Sequence, residues 1–267
     1  MRPPIDGATA LVTGASSGIG REFARQLAPR VKTLVLVARR TERLEELRKE
    51  LVGRRPELEV LLEPADLADR AAADALLGRL PPIDLLVNSA GLGDVALFDR
   101  ADWKKIEQML SVNVTALTYV THRILPGMIA RGRGGVLQVS SGFGLHFMPG
   151  FGVYAATKHY VTALTEALRA EARGTGVVVT QLCPGPVKTE FEEVAVSIPG
   201  LSAPAFFEIS AEHCVRSALR GFERGRALIV PGFLMKLAVP LGLLIPRFVR
   251  RFLFGLAARR LRRLPTG

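Results

Sequence analysis

Tyr154 and Lys158 stand four residues apart in a segment with helical spacing, so their side chains share one face. A phenol with its ordinary pKa of roughly 10 exchanges protons poorly at neutral pH. An ammonium a few ångströms away favours the phenolate and brings that pKa down. Ser141, thirteen residues before the tyrosine, closes a short β-branched run. A hydroxyl at the carboxyl end of such a strand faces the ligand crevice of an open α/β sheet. Together the three groups can hold a substrate oxygen as it gains charge and hand it a proton.

A second group suits phosphate. Thr13-Gly14-Ala15-Ser16-Ser17-Gly18-Ile19-Gly20 joins the first apolar run to a helical segment. Glycines at a strand-to-helix turn let backbone approach a pyrophosphate, and the helix N-terminus supplies free amides and the positive end of its dipole. The second run ends in Ala38-Arg39-Arg40, with no carboxylate at Ala38 or beside it. An arginine fork fits a ribose 2′-phosphate where an acid would take the 2′-hydroxyl. NADP(H) is therefore favoured over NAD(H). A solvated basic helix start is the other reading of Arg39 and Arg40.

In these motifs, in this order, the chain resembles the short-chain dehydrogenase/reductase family. The resemblance selects Ser141 over its neighbour Ser140, because the offset of thirteen to the tyrosine matches only from Ser141. It implies that Lys158 also holds the nicotinamide ribose. It implies too that Asn113, in Ser111-Val112-Asn113-Val114, anchors a water beside the lysine through its backbone carbonyl. Asp66, followed by Leu67, matches the position that contacts adenine; alone it reads as a helix N-cap. Asn88-Ser89-Ala90-Gly91 resembles the family's Asn-Asn-Ala-Gly, with Asn88 bracing the sheet and Ala90 and Gly91 passing close to the cofactor. Pro184-Gly185-Pro186-Val187-Lys188-Thr189 resembles Pro-Gly-x-Val-x-Thr, where Val187 and Thr189 hold the carboxamide. Cofactor contacts are thus expected from Gly14, Ser16, Ser17, Gly18, Ile19, Gly20, Arg39, Arg40, Asp66, Leu67, Asn88, Ala90, Gly91, Tyr154, Lys158, Pro184, Gly185, Val187 and Thr189. Ser16 and Ser17 stand where many NADP-preferring relatives carry a basic residue. The expected activity interconverts a carbonyl and an alcohol. No metal is called for, and the four histidines lack ligand spacing. His146 is expected on a solvent-facing loop, within possible reach of substrate.

The elements that must position these groups alternate along the chain. Apolar runs at Ala8–Val12, Thr33–Val37, Val60–Leu62, Leu85–Val87, Val136–Val139, Val177–Leu182 and Ala227–Val230 are separated by helical segments such as Gly20–Leu27, Glu42–Leu51, Trp103–Ile129 and Ala155–Ala172. Strands joined by crossover helices pair in parallel, and right-handed crossovers give a doubly wound α/β sheet of about seven strands, a Rossmann fold. One catalytic domain over residues 1–231 is expected, with a tail over 232–267. The family pairs through helices here spanning Val114–Ala130 and Val153–Arg173, which implies a homodimer.

Composition adds a location for the excess apolarity and charge. The 267-residue chain is 48% apolar and carries a net charge of +11. Eight of its cations, Lys236, Arg247, Arg250, Arg251, Arg259, Arg260, Arg262 and Arg263, follow Gly232 with no acid among them. Basicity confined to a hydrophobic tail points away from nucleic acid and toward anionic lipid or a partner surface. Pro240 and Pro246 are expected to break the tail, and Arg247 onward reads as an amphipathic helix that lies on a membrane, covers the pocket or pairs with a subunit. Cys183 and Cys214 read as core thiols, and a cytoplasmic location, peripheral on a membrane where the tail docks, is expected. The segments at 142–153 and 190–207 carry Phe143, Leu145, Phe147, Met148, Phe151, Phe191, Val194, Ile198, Leu201, Phe206 and Phe207, a lining for a lipophilic substrate or the packing of a lid. A dinucleotide-sensing regulator and a membrane-surface scaffold are the competing functions. An intact Ser141, Tyr154 and Lys158 argues against the first, since a sensor has no use for a proton donor. Liposome sedimentation of the full chain against one cut at Gly232 separates the second from catalysis.

Overall fold

The computed structural model describes residues 3–191 and 205–263. Seven parallel strands form one sheet in the order β3-β2-β1-β4-β5-β6-β9. They are β1 (Thr9–Thr13), β2 (Thr33–Ala38), β3 (Glu59–Pro64), β4 (Leu85–Asn88), β5 (Gly134–Val139), β6 (Val177–Leu182) and β9 (Leu228–Ile229). All seven expected runs are strands of this sheet. Four of its strands, β2, β4, β5 and β6, are buried along their whole length, as a sheet covered on both faces requires.

Side-chain alternation divides the sheet between two helical layers. Ala10 and Val12 of β1, with Leu34 and Leu36 of β2, pack with helices α1 (Gly18–Leu27), α2 (Thr41–Arg54) and α7 (Ala211–Glu223) through Phe23, Leu44, Leu47 and Phe222. Leu11, Val35 and Val37 point the other way, with α3 (Arg70–Arg79), α5 (Leu117–Ala130) and α6 (Gly152–Glu171). Their period of two sends alternate residues to opposite layers.

The carboxyl ends of β1 and β4 meet where the strand order reverses. Thr13 pairs with Asn88 on one side and with Val37 on the other. This is the switch point at which doubly wound sheets bind ligands.

Several local features differ from expectation. The helix expected over Trp103–Ile129 is α4 (Trp103–Leu110) and α5 joined by a π-helical stretch at Ser111–Ala116. The N-cap of α3 is Asp69, whose carboxylate accepts from the amides of Ala71 and Ala72, and not Asp66. A small parallel pair, β7 (Val187–Lys188) with β8 (Ile209–Ser210), was not foreseen. Pro240 does not break the tail: it lies inside α8 (Phe233–Leu244), while Pro246 caps α9 (Arg247–Arg262).

The two tail helices fold back over the loops that follow β5. His146 Nε2 lies 2.8 Å from the carbonyl oxygen of Val239, so this histidine is tied to α8 and is not a solvent-facing loop residue. Phe147 packs edge-on to Phe254 with ring centroids 5.4 Å apart. Arg262 closes the far end with an ion pair to Asp99 at 2.8 Å. Among the described residues, no helix is long and apolar enough to cross a membrane.

Candidate active site

Strand β5 ends in two serines that diverge. Ser140 Oγ donates to the carbonyl oxygen of Lys158 at 3.0 Å and shares a hydrogen bond with Thr162 at 2.9 Å, so it braces α6 from behind. Ser141 turns to the other side, where its hydroxyl lies close enough to the phenol of Tyr154 to lower its pKa. It also accepts from the Phe143 amide at 3.2 Å, which opens the next turn.

Tyr154 and Lys158 sit on the buried face of α6, with the ammonium 5.8 Å from the phenol ring centre. Lys158 Nζ donates to the carbonyl oxygen of Val139 at 2.9 Å. Burial disfavours both charged forms. It pushes the phenol up to about 12, against the lowering effect of the Ser141 hydroxyl. It brings the ammonium down to about 8. In the protein alone, desolvation therefore outweighs the expected lowering of the phenol by its cation. The thiol of Cys183 beneath them is pushed up to about 11 and stays neutral.

Asn113 lies on the π-helical stretch, fully buried. Its side chain bridges to Leu92 twice, accepting from the amide and donating to the carbonyl, both at 2.8 Å, and donates to Thr157 at 3.0 Å. The side chain is thus spent on holding the 91–92 turn against α6. A π-helical turn, common at functional sites, shifts the backbone ladder and leaves main-chain groups to other partners. Gly91 faces both Asn113 Oδ1 and Lys158 Nζ, each 3.4 Å from where a Cβ would stand.

The phosphate turn is built by close backbone approach. Gly14 has φ +69°, and a Cβ there would lie 2.8 Å from the Ala90 backbone. A Cβ at Gly20 would lie 2.3 Å from the Gly14 carbonyl oxygen. Thr13 Oγ1 accepts from the amides of Ser89 and Ala90, both at 3.1 Å, and locks the two turns together. Asn88 donates to Thr121 at 2.9 Å and so braces β4 against α5. Ser17, the N-cap of α1, makes no side-chain cap bond, which leaves the helix amides beside Gly18 and Ile19 for another acceptor. Leu67 lines a narrow cleft with Thr13, Asn88, Ala90 and Leu117.

Beyond the turn, the two arginines part. Arg40 Nη2 donates to Ser16 Oγ at 3.3 Å, at the rim of the glycine turn, whereas Arg39 leans to Asp66 at 3.9 Å. Asp66 also accepts from the Ala68 amide at 3.0 Å. Sequence reasoning missed Arg43 and Glu190. Glu190 pairs with Arg43 and lies 3.6 Å from Arg40. The two cations hold its carboxyl below the usual carboxylate range, the hydrogen bond from Arg43 being the larger cause.

The segment after β6 lies across the crevice. Pro184 accepts the Gly142 amide at 2.7 Å, which ties it to the loop after Ser141. Gly185 faces Met235 of α8. Thr189 stands over Gly18, its Cβ 3.4 Å from where a glycine side chain would begin, and donates to the Val187 carbonyl at 3.2 Å. Phe143 stacks on Phe151 at 4.4 Å, and both Phe143 and Phe191 lie against the Tyr154 ring, at 6.1 and 5.8 Å. Val194, Ile198 and Leu201 fall outside the described residues. A separate cavity of about 290 Å³ opens beside Gly150–Val153, lined by Leu97, Ile106 and Met109 but not by Ser141 or Tyr154.

The arrangement fits a nicotinamide dinucleotide: a glycine turn open to diphosphate, uncapped amides, cations at the ribose end, and hydroxyls with an ammonium at the other. Residues 8–197 match the family model for short chain dehydrogenase. The chain belongs to the short-chain dehydrogenase/reductase family. It is an NAD(P)-binding oxidoreductase of the type that interconverts CH–OH and C=O. A sulfoacetaldehyde reductase of Chromohalobacter salexigens is 41% identical over 67% of this chain and 72% of its own length. A very-long-chain 3-oxoacyl-CoA reductase of Anas platyrhynchos is 31% identical over 80% of this chain and 68% of its own. Among solved structures, a short-chain dehydrogenase of Sphingobium yanoikuyae in complex with NADPH has TM-score 0.76 at 29% identity, covering 90% of this chain and 97% of that one. A member of the family from Burkholderia phymatum in complex with NAD also reaches 0.76 at 25% identity, covering 89% and 93%.

Proposed function

We propose that the protein is an NADP(H)-dependent reductase of a lipophilic aldehyde or ketone. The observation that carries this is the meeting of Ser141 and Tyr154 hydroxyls over Lys158, walled by Phe143, Phe151 and Phe191. A carbonyl oxygen between the two hydroxyls accepts from both, while the aromatic wall takes the hydrocarbon part of the substrate.

When bound, the dinucleotide supplies the hydride. The Ser141 hydroxyl stabilises the oxygen as charge develops on it. The Tyr154 phenol, held protonated by burial, gives its proton to that oxygen. Lys158, with its pKa drawn down to about 8, is close enough to the working pH to restore the phenol's proton, with the Asn113 backbone carbonyl holding the relaying water. A phenol held in its acid form suits reduction, since oxidation needs it as a base.

Arg40, placed at the rim of the turn with Ser16, supports NADP(H) over NAD(H). Arg43 adds a second fork on the same side. Two buried thiols fit the reducing cytoplasm. The chain acts as a homodimer through α5 and α6 in this reading.

The test is oxidation of NADPH and of NADH by the purified protein against aldehydes and ketones of graded chain length. The proposal expects turnover with NADPH at a KM that falls as the chain lengthens. Equal rates with NADH, or a preference for small charged aldehydes, overturns it.

A further inference from the structure

The outward faces of α8 and α9 carry a concentration of exposed hydrocarbon, interleaved with the cations Lys236, Arg251, Arg259 and Arg260. Among the described residues, ten of the nineteen exposed large hydrophobics lie between Phe233 and Leu256. The rest are scattered over the molecule, as single exposed apolar residues normally are. On α8, Phe233, Leu237, Leu241 and Leu244 follow helical spacing, with Phe233 74% and Leu244 77% exposed. On α9, Phe248, Phe252 and Leu256 do the same, the first two 73% and 67% exposed.

These are not unused core residues of a helix that failed to pack. The opposite faces are already engaged. Met235 meets Gly142 and Gly185, Val239 receives His146, and Phe254 and Leu261 meet Phe147 and Gly150. A helix apolar all round belongs in a core or against lipid, and only one side of α8 has a core.

Charge decides what covers the other side. The stripe of Phe248, Phe252 and Leu256 continues at helical spacing into Arg259 and Arg263, both exposed, with Arg260 beside them. No acidic residue occurs after Gly232 in the sequence. A second copy of this surface, docked by two-fold symmetry, would bring like cations together with nothing to neutralise them. An anionic bilayer offers both what the phenylalanines need and what the arginines need.

We propose that the outer faces of α8 and α9 dock the protein on the surface of an anionic membrane, with Phe248, Phe252 and Leu244 entering the lipid and Arg259, Arg260 and Arg263 meeting the headgroups. Because the inner faces of the same helices cover the loops after Ser141, docking turns the substrate side of the crevice toward the bilayer.

The test is sedimentation of the full chain with vesicles of mixed phosphatidylcholine and phosphatidylglycerol, against vesicles of phosphatidylcholine alone, without dinucleotide or substrate. It is therefore read independently of turnover. The full chain should partition at least about tenfold more strongly onto the mixed vesicles, and rising salt should release it. Phe248→Ser with Phe252→Ser should weaken binding by about tenfold or more. Arg259→Ser with Arg260→Ser and Arg263→Ser should abolish the difference between the two vesicle types. The salt response of the unaltered chain tests the charge argument even if a variant does not fold. Equal partition onto both vesicle types, or unchanged binding by folded variants, overturns the proposal. So does light scattering that shows a dimer in buffer which Phe248→Ser with Phe252→Ser dissociates, since a second copy would then cover the face.

Discussion

The ammonium of Lys158 donates to the carbonyl oxygen of Val139 at 2.9 Å, which ties the cation on α6 to the end of the strand that carries Ser141. That bond holds the charge near the phenol, and burial sets its pKa at about 8. Lys158 is charged below that value and loses its charge above it, while Tyr154, at about 12, stays protonated throughout. The kcat/KM for carbonyl reduction should be level below the lysine's pKa and fall by roughly tenfold per pH unit above it. A profile that rises through the same range would mean that the phenolate does the work. The depressed value has a stability consequence of defined sign. Between about 8 and the ordinary 10.5 the unfolded chain binds more protons at this group, so its contribution to stability grows with pH there.

The two serines at the end of β5 should separate cleanly. Ser141→Ala removes a donor to the reacting oxygen and should lower kcat by about a hundredfold to a thousandfold. Ser140→Ala leaves the Lys158 carbonyl and Thr162 without their shared buried partner. It should lower stability by about 1–3 kcal/mol, with turnover retained. Thermal unfolding and initial rates on both variants check this; the reverse pattern would exchange their roles.

Arg40 and Glu190 set the third expectation. Arg40→Ala should weaken NADPH binding by about tenfold to a hundredfold, the worth of a charge-assisted contact, and leave NADH within about twofold. Arg39→Ala should do less, since its guanidinium leans to Asp66. Glu190→Gln removes the carboxylate that a 2′-phosphate must displace from Arg40 and Arg43, and should tighten NADPH by a few-fold. Fluorescence titrations with both dinucleotides read all three, and parallel losses for NADPH and NADH would contradict the assignment.

Glycines supply a matched pair. Gly20→Ala places a Cβ 2.3 Å from a backbone oxygen and should lower both thermal stability and dinucleotide affinity. Gly53→Ala, in α2 with nothing within 4 Å of the new atom, should stabilise by about 0.5–1 kcal/mol. Calorimetry distinguishes them.

The sheet was legible because its central strands, β2, β4, β5 and β6, are buried on both faces and so appear as unbroken apolar runs. Tyr154 and Lys158 were legible because a helix puts residues four apart on one side. The π-helical turn at Ser111–Ala116 was not, since no composition marks a one-residue shift of the ladder. Asp66 matches the adenine position and taken alone reads as a helix N-cap; the cap of α3 falls to Asp69, three residues on and equally able to cap. Pro240 was read as a break, yet packing of Met235 and Val239 on the loops below sustains the helix through it. Arg43 and Glu190 lie 147 residues apart in sequence, and only the fold brings them together.

The most direct test is the pairing of turnover with dinucleotide binding in Tyr154→Phe. The ring, its burial and its contacts with Phe143 and Phe191 persist in this variant, and only the exchangeable proton is lost. Carbonyl reduction should fall by about a thousandfold or more while the Kd for NADPH stays within about twofold. Turnover near that of the unaltered protein would contradict the account.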